Sequence, residues 1–182
     1  MKIRESADVE FKRELTADMK KEVVALANTG GGTIYLGIQD DGLVVGVANP
    51  EQVLTQITNM IRDAIRPDVT MFAQASVETT EGASVIAVSV QQGTNRPYYL
   101  ADKGLKPSGV YVRQGASSVP ASESAIRQMI KESDGDSWET MRSLEQALSF
   151  HTANEEFSKR GLEFGESQMR TLGIMNKEGL FT

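Results

Sequence analysis

The sequence predicts an α+β protein, a mixed and mostly antiparallel sheet with amphipathic helices packed on it, followed by a helical C-terminal appendage. Three observations carry this. Met19, Val23, Leu26 and Ala27 recur at helical spacing, as do Val53, Ile57, Met60, Ile61 and Ile65. Thr33 to Ile38 and Ser84 to Val90 alternate with the period of two that belongs to strands. Beyond the loop-like stretch Ser133 to Ser137, helical patterning resumes without strand signals.

Residues 2–12 alternate weakly around Ile3, Val9 and Phe11, which predicts an opening strand with Glu10 and Lys12 on one face and Phe11 on the other. A helix over 17–28 follows. Thr16 has an N-capping side chain, Asp18 sets negative charge at the positive end of the helix dipole, and Asn28-Thr29-Gly30 supplies the stop. Lys20, Lys21 and Glu22 fall between the apolar positions and are expected to face water. The next strand places Ile34, Leu36 and Ile38 on one face, Asp41-Gly42 makes a two-residue hairpin turn, and Leu43 to Val47 is the returning strand.

Pro50 suits the first turn of a second helix, which ends before Arg66-Pro67. Val69 to Val77 and Ser84 to Val90 read as strands joined by the turn Thr80 to Ala83. The second of them is small or apolar on both faces and belongs inside the sheet. Gln91 to Gly109 is a long loop holding Gly93, Pro97, Gly104 and Pro107, and loops of that length in a compact domain tend to be functional or mobile. Val110 to Arg113 returns as a strand, Gln114 to Ser118 is a glycine turn, and Ala121 to Lys131 is a short helix. The loop composition of Ser133 to Ser137 divides the chain into 1–132 and 133–182. In the second part Trp138 to Phe150, Ala153 to Arg160 and Ser167 to Leu172 are predicted helices, and the abrupt stop at GLFT suggests a piece of a longer protein.

Composition bounds the chemistry. A hydrophobic content of 40% in 182 residues supports a real core. No run of about 18 apolar residues is present and the N-terminus is polar, so the expectation is a cytoplasmic protein with no membrane partner. The absence of cysteine excludes disulfides and thiolate metal sites, and the single histidine, His151, leaves a zinc site only carboxylates to recruit, which argues against structural zinc. The net charge is −6, and residues 133–182 alone contribute −4 of it. Within residues 92–120, Arg96, Lys103, Lys106 and Arg113 face Asp102 alone, a local +3. A polyanion is held by neutralising its phosphates, so that patch must gather on one face to act.

Arg96, Lys103, Lys106 and Arg113, with the turn residues Gly115, Ser117 and Ser118, are therefore the candidate nucleic-acid contacts. Arginine offers a fork of donors to phosphate, and hydroxyls with backbone N–H groups add positioning contacts. The structural alternative is that Arg96 and Arg113 brace the long loop. Tyr98 and Tyr99 either stack on bases or anchor that loop on the core. Gly30-Gly31-Gly32 follows a helix and precedes a strand, the reverse of a nucleotide-binding loop, and no Lys-Ser/Thr follows it, so it reads as a helix stop. His151 has no catalytic partner in the sequence and belongs on a surface or a helix end.

ExxxxEFK near the start, a helix ending in ANTGGG, a strand running into GIQDDGLVVGV, and later TNRPYYL and GVYVRQGASS resemble the Schlafen AlbA-type domain over roughly residues 1–120. The resemblance implies that 1–132 is a nucleic-acid-binding domain, DNA or RNA being the partner, of the kind found in bacterial transcriptional regulators. It also implies an alternative. In some animal Schlafen proteins two glutamates and an aspartate cut structured RNA, and Glu5, Glu10 and Asp40, with Lys12 beside them, match those positions. Such a site would take Mg²⁺ or Mn²⁺; in the simpler reading Glu5 and Glu10 pair with Lys12 or Arg13, and Asp40 starts the hairpin. A third expectation is a protein-interaction or homo-oligomerisation domain using the acidic tail.

Overall fold

The computed structural model describes residues 4–133, 143, 146–176 and 179–181. The first strand, β1 (Val9–Lys12), leads through helix α1 (Met19–Asn28) to β2 (Gly32–Leu36), and the two strands pair in parallel with Glu10 opposite Ile34. Helix α2 (Pro50–Ala64) follows, then the two-residue strand β3 (Ile65–Arg66), a 3-10 turn at Thr70–Phe72, and the long hairpin β4 (Ala73–Thr80) and β5 (Ala83–Val90). In the four-stranded sheet the order is β1-β2-β5-β4, and every pairing except β1 with β2 is antiparallel. Strand β5 thus lies inside the sheet, as its two apolar faces require.

Alternation sorts the side chains into two layers. Ile34, Leu36, Ile86, Val88 and Val90 meet Met19, Val23, Leu26, Ile57 and Ile61 from α1 and α2 in the main core. Each such fully buried aliphatic side chain contributes about 1.5–3 kcal/mol. Phe11 and Val85 project from the opposite face and pack with Ile38 in a smaller cluster. Gly37, at φ 91°, ends β2 and turns Ile38 to that second face, so Ile38 does not share a side with Ile34 and Leu36 as expected. The Asp41-Gly42 turn forms, with Gln39 N–H donating to Leu43 C=O at 2.9 Å. No returning strand follows it: one bridge, Ile38 to Val44, replaces the expected 43–47 strand, because Val45 and Gly46 donate back to Gly37 and Val47 donates to Ser84.

Strand β6 (Tyr99–Leu100) lies inside the long loop and pairs with β3. Strand β7 (Tyr111–Gln114) turns at Gly115 into β8 (Ser117–Pro120), a strand where the sequence pattern predicts only the end of a glycine turn. This hairpin and helix α3 (Glu123–Ser133) bury Val110, Ala121, Ile126 and Met129 together. The hairpin also covers the flank of α1 turned away from the sheet. Burial therefore runs round the helix to Val24 and Ala25.

The start of α1 differs from expectation. Asp18 is the N-cap, and the backbone carbonyl of Thr16 accepts from Met19 N–H at 3.2 Å. At its end Gly31, at φ 77°, makes the turn, and its N–H donates to Leu26 C=O at 3.0 Å.

Contacts divide the chain into two compact units, Met1–Ser133 and Asp134–Thr182. The second unit holds α4 (His151–Lys159) and α5 (Glu166–Thr171). Phe157 meets Phe164 at 4.8 Å between ring centroids, and Phe150 meets Phe181 at 5.3 Å. Gln146 exchanges two hydrogen bonds with the backbone of Phe181. Of the helix expected over Trp138 to Phe150, Trp138, Met141 and Leu144 lie outside the described residues. Gln146 to Phe150 take no regular structure.

Candidate nucleic-acid interface

The site is built around α1, whose exposed rim faces the loop between β6 and β7. Asn28, at the helix end and 3% exposed, stitches the two together. Its amide nitrogen donates to Tyr98 C=O and Tyr111 C=O, both at 2.9 Å, and its carbonyl accepts from Tyr98 N–H at 2.7 Å. Next to it, the Thr29 hydroxyl donates to Ala25 C=O and accepts from Arg113 N–H at 3.0 Å. Asn28 was legible only as part of a helix stop, since nothing local announces partners 70 and 83 residues away.

Arg113 is not a surface cation. Its side chain is 1% exposed. Nη1 lies 2.8 Å from Glu10 Oε2 and 3.2 Å from Glu22 Oε2, while Nη2 and Nε donate to Ser6 C=O and Ala7 C=O. Ser118 joins the cluster by donating to Glu22 and accepting from Arg113 Nη1, and Lys12 caps the other oxygen of Glu10. Two carboxylates and two cations therefore neutralise one another beside α1. Glu22, expected to face water, is drawn in because the β7–β8 hairpin covers that side of the helix. Burial works against the charge on Lys12, yet its hydrogen bond to Glu10, with the added charges of Glu10, Glu22 and Glu5, raises its pKa above the ordinary lysine value.

Arg96 is likewise occupied. It donates to Asn28 C=O at 3.4 Å and pairs with Glu132 at 3.1 Å, tying the loop to α1 and α3. The expected cradle of Arg96 and Arg113 does not form as an unpaired patch: Arg113 is locked to buried carboxylates, while Arg96, half-buried, pairs with the single exposed carboxylate of Glu132. Tyr98 is fully buried and anchors the loop, while Tyr99 is half-buried against the smaller core. Gly115 and Ser117 are exposed at the hairpin turn, and Ser118 is spent on the buried cluster.

The acidic triad is not assembled. Glu5 accepts Phe11 N–H at 3.0 Å, Glu10 is held between Arg113 and Lys12, and Asp40 is exposed beside the hairpin turn. Among the described residues no three carboxylate or imidazole side chains come together as a metal site. Neither Mg²⁺ nor Mn²⁺ fits this arrangement, since two of the three acids already have partners. His151 is 83% exposed at the first turn of α4, near Glu155.

Beside this cluster lies a rim of lysines, with Lys20 and Lys21 half-buried and Lys103 and Lys106 exposed. Lys20 from α1 and Lys103 from the loop share one carboxylate, that of Asp102, at 3.6 and 4.0 Å. Lys21 pairs with Asp18 at 2.7 Å and sits 6.0 Å from the centre of the Tyr111 ring. Lys106, in the same loop as Lys103, is exposed and has no carboxylate partner among the described residues.

Residues 5–122 match the family model described as Schlafen, AlbA_2. The α+β domain with its helix-backed sheet is therefore that of the Schlafen AlbA_2 family, to which this chain belongs. No curated protein matches the chain. Among solved structures it is similar to the DIP2311 protein from Corynebacterium diphtheriae, with 18% identity over 97% of this chain and 34% of that one and a TM-score of 0.56. That likeness is one of fold, and this chain spans about a third of that protein's length. It is also similar to the N-terminal domain of a RecG-related protein from Nitrosomonas europaea. There the identity is 28%, the coverage 63% of this chain and 83% of that one, and the TM-score 0.48. Among the described residues no helix is long and apolar enough to cross a membrane.

Proposed function

We propose that the first unit is a nucleic-acid-binding module, DNA being the favoured partner, that holds the phosphate backbone on the rim formed by Lys20, Lys21, Lys103 and Lys106. The observation that carries this is the sharing of Asp102 by Lys20 and Lys103, which leaves two ammonium groups against one carboxylate, with Lys106 on the same loop as Lys103 and without a carboxylate partner among the described residues. Exposed pairs of this kind are worth about 0–1 kcal/mol, so a phosphate can replace Asp102 at little cost. The buried Arg113 cluster cannot be recruited so cheaply. Membership in the Schlafen AlbA_2 family supports the same reading. A cytoplasmic transcriptional regulator is the setting it fits.

Titrating labelled duplex DNA at several salt concentrations tests this. Log affinity should fall with log salt, and Lys103→Ala/Lys106→Ala should lower the slope by roughly 1.8, about 0.9 for each phosphate that is no longer neutralised. Affinity unchanged over a fourfold rise in salt rejects the reading.

A further inference from the structure

Between Lys103 and Lys106 the loop presents Leu105, 48% exposed. Single exposed leucines are ordinary; this one sits on a braced turn between two cations. Lys103 and Gly104 N–H both donate to Leu100 C=O at 3.0 and 2.9 Å, and Lys106 N–H donates to Gly104 C=O at 2.9 Å. Gly109 and Val110 N–H donate to Lys106 C=O at 2.8 and 3.0 Å, and Leu100 N–H closes the loop on Gly109 C=O at 2.9 Å. A Cβ on Gly109 would stand 2.1 Å from Gly104 C=O, so the two limbs of the turn already touch. The backbone of the turn is thus tightly tied, with Leu105 half exposed on it.

We infer that Leu105 is a wedge that enters a base-pair step of duplex DNA from the minor groove while Lys103 and Lys106 take the flanking phosphates. The inference rests on the nucleic-acid reading above and names how that site engages its partner. Apolar side chains flanked by cations partly unstack such steps and bend the duplex. Single-strand binders instead offer aromatic faces for stacking. Here the neighbouring Tyr111 is half-buried with Lys21 near its face, which leaves the aliphatic tip as the apolar group to insert.

The test uses the full chain and duplexes carrying 2-aminopurine at successive steps, with Leu105→Ala, Leu105→Phe and Lys103→Ala/Lys106→Ala as variants. Wild type should raise the fluorescence of one step at saturation. Leu105→Ala should keep most of the affinity, which the phosphates supply, and lose the rise; Leu105→Phe should restore it. An undiminished rise with Leu105→Ala, in a protein that binds with the expected salt slope, overturns the wedge and leaves the binding reading standing. Failure of wild type to bind duplex overturns both. Leu105-dependent binding to phosphatidylserine vesicles without duplex binding overturns both in favour of a lipid surface.

Discussion

Arg113 Nη1 lies 2.8 Å from Glu10 Oε2 across 103 residues of sequence, with the two side chains 1% and 8% exposed. The ExxxxEFK stretch and the GVYVRQG stretch thus meet in one ion cluster, and each supplies the charge that makes burial of the other tolerable. Neither residue is free for a ligand.

Replacing Arg113 by Met leaves Glu10 and Glu22 facing each other in a covered site and frees the Ser6 and Ala7 carbonyls. Removing one partner of a buried pair costs about 3–5 kcal/mol. Urea unfolding should show that loss for Arg113→Met. A smaller loss is expected when Glu10→Gln and Glu22→Gln are added. A change under about 1 kcal/mol would mean the cluster is solvated.

Asn28→Asp should be worse than Asn28→Ala. Alanine orphans two carbonyls and one N–H, at about 1–3 kcal/mol for each group left unsatisfied. Aspartate keeps the acceptor for Tyr98 N–H but aims a second oxygen at two carbonyls. Hydrogen exchange at Tyr98 should rise in the alanine variant, and thermal unfolding ranks the two.

Lys12 makes a prediction at alkaline pH. Its pKa is raised in the folded state, so the stability it contributes is fully present below the ordinary lysine value and is lost as pH rises through the folded value. The difference in urea midpoint between wild type and Lys12→Met should be constant from pH 7 to about 10 and then shrink. A difference that grows above that range reverses the sign and excludes the Glu10 pairing as its cause.

Structured RNA incubated with Mn²⁺ should not be cut in a manner that depends on Glu10. Equal product patterns from wild type and Glu10→Gln are the expected result, and calorimetry should detect no Mn²⁺ site involving Glu5 or Asp40. Loss of cleavage in Glu10→Gln, with folding shown intact, would mean the cluster opens to release its carboxylate.

Much of the fold was legible because its signals are local. Period-two alternation placed β2 and β5, and the apolar spacing around Ile57 and Ile61 placed α2. The failures share a cause in long-range geometry. Gly37 redirects Ile38 with one positive φ, and the β7–β8 hairpin turns Glu22 from a solvated position into a partner of Arg113. Lys103 and Lys106 were legible as cations on a loop. Lys20 could join them only once the fold brought α1 against Asp102. Arg113 looked like a ligand because sequence shows charge but not burial.

Glu5 has a consequence for the whole sheet. Its carboxylate takes Phe11 N–H on the outer side of β1, and Ser6 N–H gives to Val9 C=O there, so two backbone groups of that margin are already spent within the chain. At the opposite margin, Gln91 N–H bonds to Phe72 C=O, which by alternation turns the backbone groups of Ala73, Ala75 and Val77 outward. With one margin partly spent and the other unspent, an added strand would find more backbone partners along β4 than along β1.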